Sequence, residues 1–187
     1  MNLMCSHDTN RQLLILDSNT ASNDSSIYQN PNYDWSDAIT RLKGVTILQM
    51  TLPGAPTIYY GDEVGLVGPP TYDGSQWQDD PYNRQPYPWL DETGTPYYAH
   101  LQSQANQDAL FDYYQLLATA RNAHPALRTG SFDTLKVDNA SKVYAYGRLM
   151  DDFSDAAVVI LNRHTADQDI TVNVSGYIPV GAQFTDA

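Results

Sequence analysis

The order of two short β-prone runs around one helix constrains the fold of this chain more than any other local pattern. Residues 2–5 (NLMC) form the first run, which is predicted to be a short buried strand, and residues 55–60 (APTIYY) form the second. Between them, Ala38 and Leu42 begin a series of apolar residues at helical spacing, and Ser36 is the predicted N-cap. A strand–helix–strand order is typical of two parallel strands joined by a crossover helix. We therefore expect an α/β fold.

The other predicted elements divide the chain into two parts. A short helix is expected over residues 13–16, and a longer helix is expected from an N-cap at Asn106 to its end at Pro125. Four strands are predicted after it, at residues 131–138, 142–149, 156–162 and 169–174. This change of character places a domain boundary near Gly130, so that residues 1–129 form the α/β part and residues 130–187 form a β domain.

Between these helices, residues 61–106 show no clear periodicity but are rich in Tyr and Trp. Disordered segments are poor in aromatic residues, so this long stretch is interpreted as an ordered functional loop.

Charge and cysteine content exclude several classes of function. The chain has 22 Asp and Glu against 10 Lys and Arg, a net charge of −12, which disfavours nucleic acid and anionic membranes as partners. No apolar run is long enough to span a bilayer, and the first residues lack the features of a signal peptide. Cys5 is the single cysteine, so no internal disulfide and no cysteine-based zinc site are expected. A neutral ligand remains open, and the many Asp and Tyr residues favour carbohydrate.

Four segments carry distinctive spacing or chemistry. They are residues 6–8 (SHD), 51–66 (TLPGAPTIYYGDEVGL), 79–89 (DDPYNRQPYPW) and 116–130 (LLATARNAHPALRTG). Taken alone, the first segment fits a helix-capping Asp and a polar pair at the end of a strand equally well. Catalytic groups of a β/α barrel lie at that end of the strands.

In this order the four segments resemble the α-amylase family, glycoside hydrolase family 13, and most of all its pullulanase, neopullulanase and cyclomaltodextrinase members. The resemblance spans residues 2–130 and implies the last two strands and helices of a (β/α)8 TIM barrel. It implies that the β domain is the sandwich-like C-terminal domain of such enzymes, incomplete here. The implied activity is retaining hydrolysis of α-1,4 or α-1,6 bonds in α-glucan oligo- or polysaccharides.

The resemblance also assigns roles to individual residues. Asp8 matches the third catalytic carboxylate, which orients sugar hydroxyls and supports the positive charge of the transition state. His7 matches a histidine that binds hydroxyls in the reactive subsite. Asp80 and Arg84 match residues that hold a neighbouring glucose, the alternative being an ion pair that braces the loop. An oxocarbenium-like transition state needs fixed negative charge nearby, which fits these assignments.

Other noticeable side chains are interpreted as structural. Asp62 and Glu63 are adjacent, and neighbours on an extended chain face opposite ways, so they rarely act on one bond. The resemblance implies that they form a structural turn instead. Trp89 is interpreted as a packing anchor, the alternative being a platform for a sugar ring, and His124 is interpreted as a residue that ends a helix. Cys5 departs from the family pattern, which has a small residue such as glycine there.

The resemblance also shows what this stretch lacks. The nucleophile and acid/base segments of the family would precede residue 2, as would the inserted domain that often holds calcium. The sequence is therefore predicted to be a C-terminal fragment with no cofactor or metal of its own, inactive alone, and molten or oligomeric in isolation. A non-catalytic carbohydrate-binding or structural remnant is the alternative. A secreted location is favoured, a cytoplasmic one stays open, and the oligomeric state is undetermined.

Overall fold

The computed structural model describes residues 2–18, 32–67, 71–73, 76–78, 82–95 and 104–186. They fall into two compact units, Met1–Gln49 with Pro56–Leu116, and Met50–Ala55 with Leu117–Ala187. The helices are α1 (Gln12–Leu16), α2 (Ser36–Thr51), α3 (Gln104–Ala123) and α4 (Pro125–Thr129), and the 3-10 turns are Asp62–Val64 and Tyr82–Arg84. The strands are β1 (Asn2–Leu3), β2 (Pro56–Thr57), β3 (Thr71–Asp73), β4 (Gln76–Gln78), β5 (Asp133–Asp138), β6 (Val143–Leu149) and β7 (Ala156–Asn162).

The first unit contains the predicted strand–helix–strand arrangement. β1 pairs with β2 in parallel, with Asn2 opposite Pro56 and Leu3 opposite Thr57, as the sequence predicts. The Gln49 amide of α2 donates to the carbonyls of Asn2 (3.2 Å) and Thr57 (2.8 Å), so the helix is tied to both strands. The first strand is shorter than predicted, and the expectation that it is buried is wrong for Leu3, which is 40% exposed.

The core of this unit forms where α1, α2 and α3 meet. Its buried residues are Leu13, Leu14, Trp35, Ala38, Leu42, Val67 and Leu110. The predicted cap of α2 is wrong by position, because Ser36 is already the first helical residue. The carboxylate of Asp34 accepts the Ser36 N–H at 2.9 Å, so a side chain two residues earlier satisfies the helix start. Likewise, α3 begins at Gln104 rather than after Asn106.

The second unit is built on an antiparallel sheet in the order β5–β6–β7. The central strand β6 buries Val143, Ala145 and Tyr146. A fourth strand predicted at residues 169–174 is absent, and these residues form neither helix nor strand. They do alternate between exposed and half-buried positions. Alternation reports which face is covered, but a strand also needs a neighbour to pair with its backbone, and sequence periodicity does not specify that neighbour.

Two buried arginines brace the second unit from inside. The Arg121 guanidinium donates to the carbonyls of Met50, Leu52, Gly54 and Leu127. That of Arg148 donates to Thr51, Leu127, Gly130 and Ser131. The planar guanidinium presents five donors in a fixed fork, which suits several carbonyls at once. The turn after α2 and the segment around α4 are therefore held by side chains from α3 and β6.

Candidate functional site

Three of the four predicted site residues lie together in the first unit. The Asp8 carboxylate oxygen Oδ1 is 3.1 Å from His7 Nε2 and 3.6 Å from Arg84 Nη2. The three side chains are 52% (His7), 65% (Asp8) and 44% (Arg84) exposed, so a ligand from solvent can reach all of them. The fourth, Asp80, lies outside the described residues.

A tight turn presents His7 and Asp8. The hydroxyl of Thr9 accepts the Ser6 N–H at 2.9 Å, and the Thr9 N–H donates to the Ser6 carbonyl at 3.2 Å. The hydroxyl of Ser6 accepts the Asp8 N–H at 3.2 Å. Because Ser and Thr hydroxyls satisfy the backbone locally, the turn does not need the His7 or Asp8 side chain for its own stability.

Asn83 links the Asp8 turn to the segment that carries Arg84. Its side chain is 1% exposed and its amide donates to the carbonyl of Thr9. The backbone carbonyl of Asn83 accepts hydrogen bonds from Arg11 Nη2 at 3.0 Å and from the Tyr59 hydroxyl at 2.8 Å. Thr9 follows Asp8 and Asn83 precedes Arg84, so this bond sets the separation between the two charged site residues.

The guanidinium of Arg11 lies beneath the site and is fully buried. Besides Asn83, it donates to the carbonyl of Tyr60, and its Nη1 is 3.9 Å from Asp62 Oδ1. Its centre lies 4.2 Å from the Tyr59 ring centroid and 4.7 Å from that of Tyr60, at cation–π distance. Sequence reasoning missed both Arg11 and Asn83, because their partners are 49 to 74 residues away and leave no local pattern.

Asp62 and Glu63 lie in a structural turn rather than forming a catalytic pair. Asp62 is buried and accepts the Cys5 thiol proton at 2.9 Å, whereas Glu63 accepts the Gly61 N–H at 2.9 Å. Gly61 has φ +91°, and a Cβ there would lie 2.8 Å from Leu66 Cδ2, so glycine is required at this position.

Burial dominates the electrostatics of this turn. Burial raises the pKa of Asp62 to about 6, while the Cys5 hydrogen bond and the Arg11 charge act in the opposite direction. Burial, with the Asp62 charge, also raises the pKa of the Cys5 thiol far above its ordinary value. Cys5 is therefore a neutral hydrogen-bond donor here, which gives this departure from the family pattern a structural role.

The exposed cluster can bind a polyhydroxylated ligand. A carboxylate accepts hydroxyl protons, an imidazole both donates and accepts, and a guanidinium donates to hydroxyl oxygens. The described partners of Asp8 are a histidine and an arginine, so the described site supplies one carboxylate. Glycoside hydrolysis uses two, a nucleophile or base and an acid.

Two further findings concern metals and membranes. Across the described ranges, no group of three or more His, Cys, Asp or Glu side chains is arranged to hold a metal ion. No helix in the described part of the chain combines the length and the apolar character needed to cross a bilayer.

Comparisons with a family model and with individual proteins point to the same family. Residues 1–130 match the family described as "Alpha amylase, catalytic domain". An amylopullulanase of Thermoanaerobacterium saccharolyticum is 33% identical over 198 residues, covering 100% of this chain and 13% of the relative. A cyclomaltodextrinase of a Bacillus species is 33% identical over 165 residues, covering 88% of this chain and 22% of the relative.

Solved structures agree with this assignment. A cyclomaltodextrinase structure superimposes with a TM-score of 0.56 at 31% identity, covering 85% of this chain and 20% of that one. This chain thus spans 13% and 22% of the length of the two relatives named above. The structural neighbours are (β/α)8-barrel enzymes, and the present chain shows the mixed helices and sheets of a part of such a fold.

Proposed function

This chain belongs to the α-amylase family of glycoside hydrolases, and on that premise we propose that it forms the substrate-orienting part of an enzyme that hydrolyses α-1,4 or α-1,6 bonds in α-glucans. The observation that carries the proposal is the cluster of His7, Asp8 and Arg84, which brings together residues 76 positions apart. Similarity to an amylopullulanase and a cyclomaltodextrinase supports the choice of α-glucans.

In the proposed site, the Asp8 carboxylate accepts hydrogen bonds from hydroxyls of the reacting sugar. As the glycosidic bond breaks, positive charge develops on the ring, and a fixed carboxylate nearby stabilises that charge. His7 donates to a hydroxyl of the same sugar. Arg84 lies 3.6 Å from the same Asp8 oxygen that His7 contacts and, with Asp80, binds the neighbouring glucose.

The proposed role does not include the nucleophile or the acid/base of the reaction. A retaining glycosidase needs these two carboxyl groups about 5 Å apart. The family's Arg-x-Asp nucleophile segment does not occur in the 187 residues, and no Glu-led acid/base segment does. The only two glutamates are Glu63 and Glu92, and Glu63 is engaged by the Gly61 N–H. We infer that this chain by itself orients sugar but does not cleave it, and that retaining hydrolysis belongs to a longer protein.

The proposal extends to domain organisation. The family match ends at residue 130, which supports a boundary there between a barrel part at residues 1–129 and a β domain at residues 130–187. The antiparallel β5–β6–β7 sheet begins directly after this point and is proposed to be one sheet of a sandwich-like C-terminal domain. Hydrogen exchange of the full chain would report separate protection of the two parts.

Calorimetric titration with maltotriose and a reducing-sugar assay on pullulan and starch test the proposal together. We expect binding without hydrolysis, and we expect Asp8→Asn to weaken binding because it removes the charged acceptor. Asp151→Asn, at an exposed aspartate of the second unit, is the matched control and should bind as the wild type does. Hydrolysis by the purified chain would overturn its assigned lack of catalysis. Equal maltotriose affinity in the wild type and Asp8→Asn would overturn the assigned site.

A further inference from the structure

Trp89 is exposed in a way that packing does not explain. Its side chain is 65% exposed, whereas the sequence interpretation as a packing anchor requires a buried indole. It contacts the Tyr87 ring, with centroids 4.5 Å apart and planes inclined by 42°. Tyr87 thereby supports one face of the indole, and the exposed remainder is available to a partner. Large exposed apolar patches on soluble proteins commonly mark interaction sites.

Trp89 lines a groove of about 370 Å³ in the first unit. The residues that give the groove its chemistry are Tyr87, Trp89, Leu90, Asp108, Phe111 and Asp112. Leu90 and Phe111 are 47% and 45% exposed, so the apolar surface extends beyond the indole. Small-molecule sites are grooves of this size range that combine apolar walls with a few polar groups. This Trp89 groove shares no lining residue with the cluster of His7, Asp8 and Arg84.

The two carboxylates of the groove both belong to α3. Asp108 and Asp112 are exposed and four residues apart on α3, a spacing at which like charges repel. Both lie beyond the first turn of α3, where the helix dipole favours acidic side chains. Phe111 lies on the same face, three residues after Asp108. The groove therefore presents two carboxylates beside the exposed rings of Trp89 and Phe111.

We propose that the Trp89 groove binds a neutral oligosaccharide at a site separate from Asp8. A pyranose ring offers an apolar C–H face that packs on an indole, and its hydroxyls donate to carboxylates. An apolar peptide would instead cover the two carboxylates without supplying donors, which is unfavourable. Because the ligand is uncharged, the net charge of −12 does not oppose its approach. The choice of an α-glucan as that oligosaccharide rests on the proposed function.

Titration of the ¹⁵N-labelled full chain with maltotriose, followed through the tryptophan indole N–H signals, tests this site. The signal of Trp89 is assigned by its loss in Trp89→Phe. We expect that signal to shift saturably and to be insensitive to salt. Trp89→Ala should lower the affinity of this site by about tenfold, measured by calorimetry, because stacking and apolar contact are lost. Asp112→Asn should weaken it less, since an amide oxygen still accepts a hydroxyl proton.

The controls separate this site from the first one. Phe153→Ala removes an equally exposed aromatic ring from the second unit and should leave the titration unchanged. In Asp8→Asn the Trp89 shift should persist. If the shift persists while no binding depends on Asp8, the groove is supported and the proposed function fails. If binding depends on Asp8 but the Trp89 signal stays fixed, the groove proposal is overturned and the function stands.

Two further results would overturn the groove as a sugar site. A Trp89 signal that moves with protein concentration, without sugar, would assign the groove to a second copy of the chain. A shift produced by a lysine-rich peptide and abolished by salt, with none from maltotriose, would assign it to a basic protein segment.

Discussion

At the scale of single residues, the side chain of Asn83 lies between the turn that carries Asp8 and the segment that carries Arg84. Its amide donates to Thr9, and its buried position excludes water as a replacement donor. Because one side chain connects the two segments, a substitution at residue 83 should change the distance between the charged groups of Asp8 and Arg84. Asn83 is therefore a positioning residue for the proposed site, although it does not itself face the ligand.

Asn83→Ala should lower the free energy of unfolding by about 1 to 3 kcal/mol, because the Thr9 carbonyl then loses its buried donor. Denaturant titration measures this loss. Gln85→Ala, two residues along the same segment, is the control and should change the stability by less. If the two substitutions lower the free energy of unfolding equally, the Asn83–Thr9 hydrogen bond makes no specific contribution to stability.

Asp62 makes the stability depend on pH. Its pKa in the folded chain is about 6, against an ordinary value of 3.8. Between these two pH values, Asp62 is more often protonated in the folded chain than in the unfolded chain. The unfolded chain binds fewer protons in this window, and the free energy of unfolding therefore falls as pH rises from about 4 to about 6. The buried, ionised carboxylate is the physical cause.

Asp62→Asn removes this titration and leaves an acceptor for the Cys5 thiol. The stability of the variant relative to wild type should increase by up to about 3 kcal/mol between acidic and neutral pH. Denaturant unfolding at a series of pH values measures the difference, which cancels the titration of other groups. A difference that does not change with pH would show that Asp62 has no raised pKa.

At the scale of elements, the second unit depends on arginine as much as on apolar packing. β6 buries the whole Arg148 side chain, whose donors reach four carbonyls near α4 and the end of α2. These carbonyls lie in the last turn of a helix or directly after it, where helix geometry leaves backbone acceptors to other partners. A single side chain from the sheet thus satisfies several such acceptors.

Arg148→Lys should destabilise the chain by on the order of 3 kcal/mol, because an ammonium group cannot reach all these carbonyls and leaves some unpaired. Thermal or denaturant unfolding would detect the change. The matched control is Arg163→Lys at an exposed position just after β7, which should be nearly neutral. Equal stability of the two variants would contradict a bracing role for Arg148.

At the scale of the whole chain, apolar exposure and net charge oppose each other. Large apolar side chains are exposed in both units, among them Leu3, Ile15, Leu116, Val137 and Ile160. Such surface favours self-association, whereas a net charge of −12 favours separation of the copies. Salt screens the charge and leaves the apolar attraction in place, so it shifts the balance toward association.

The purified chain should therefore self-associate more as salt is raised from about 10 mM to about 500 mM, over which the screening length falls severalfold. Sedimentation velocity at several protein concentrations measures this association. Binding of a hydrophobic dye, with broad melting, should accompany it. A monomer at every salt concentration, with one sharp melting transition, would contradict both this expectation and the prediction that the isolated chain is molten or oligomeric.

Features that depend on neighbours along the chain could be predicted before the structure was known. The parallel pairing of β1 with β2 follows from their order around α2, and the end of α2 follows from Leu52-Pro53-Gly54. The family follows from four motifs, which the match over residues 1–130 confirms. Helical spacing, turn residues and motif order are all properties of nearby residues, so they can be recognised in the sequence without a structure.

Contacts between groups that are distant along the chain were found only in the folded structure. It brought Arg84 to Asp8, placed Asn83 against Thr9 and buried Arg11 beside Asp62. It also left Trp89 exposed and residues 169–174 without a partner strand. The physical reason is common to all of these. A contact across 50 or more residues, the exposure of an aromatic ring and the pairing of a strand depend on what the rest of the chain places opposite, which no local period records.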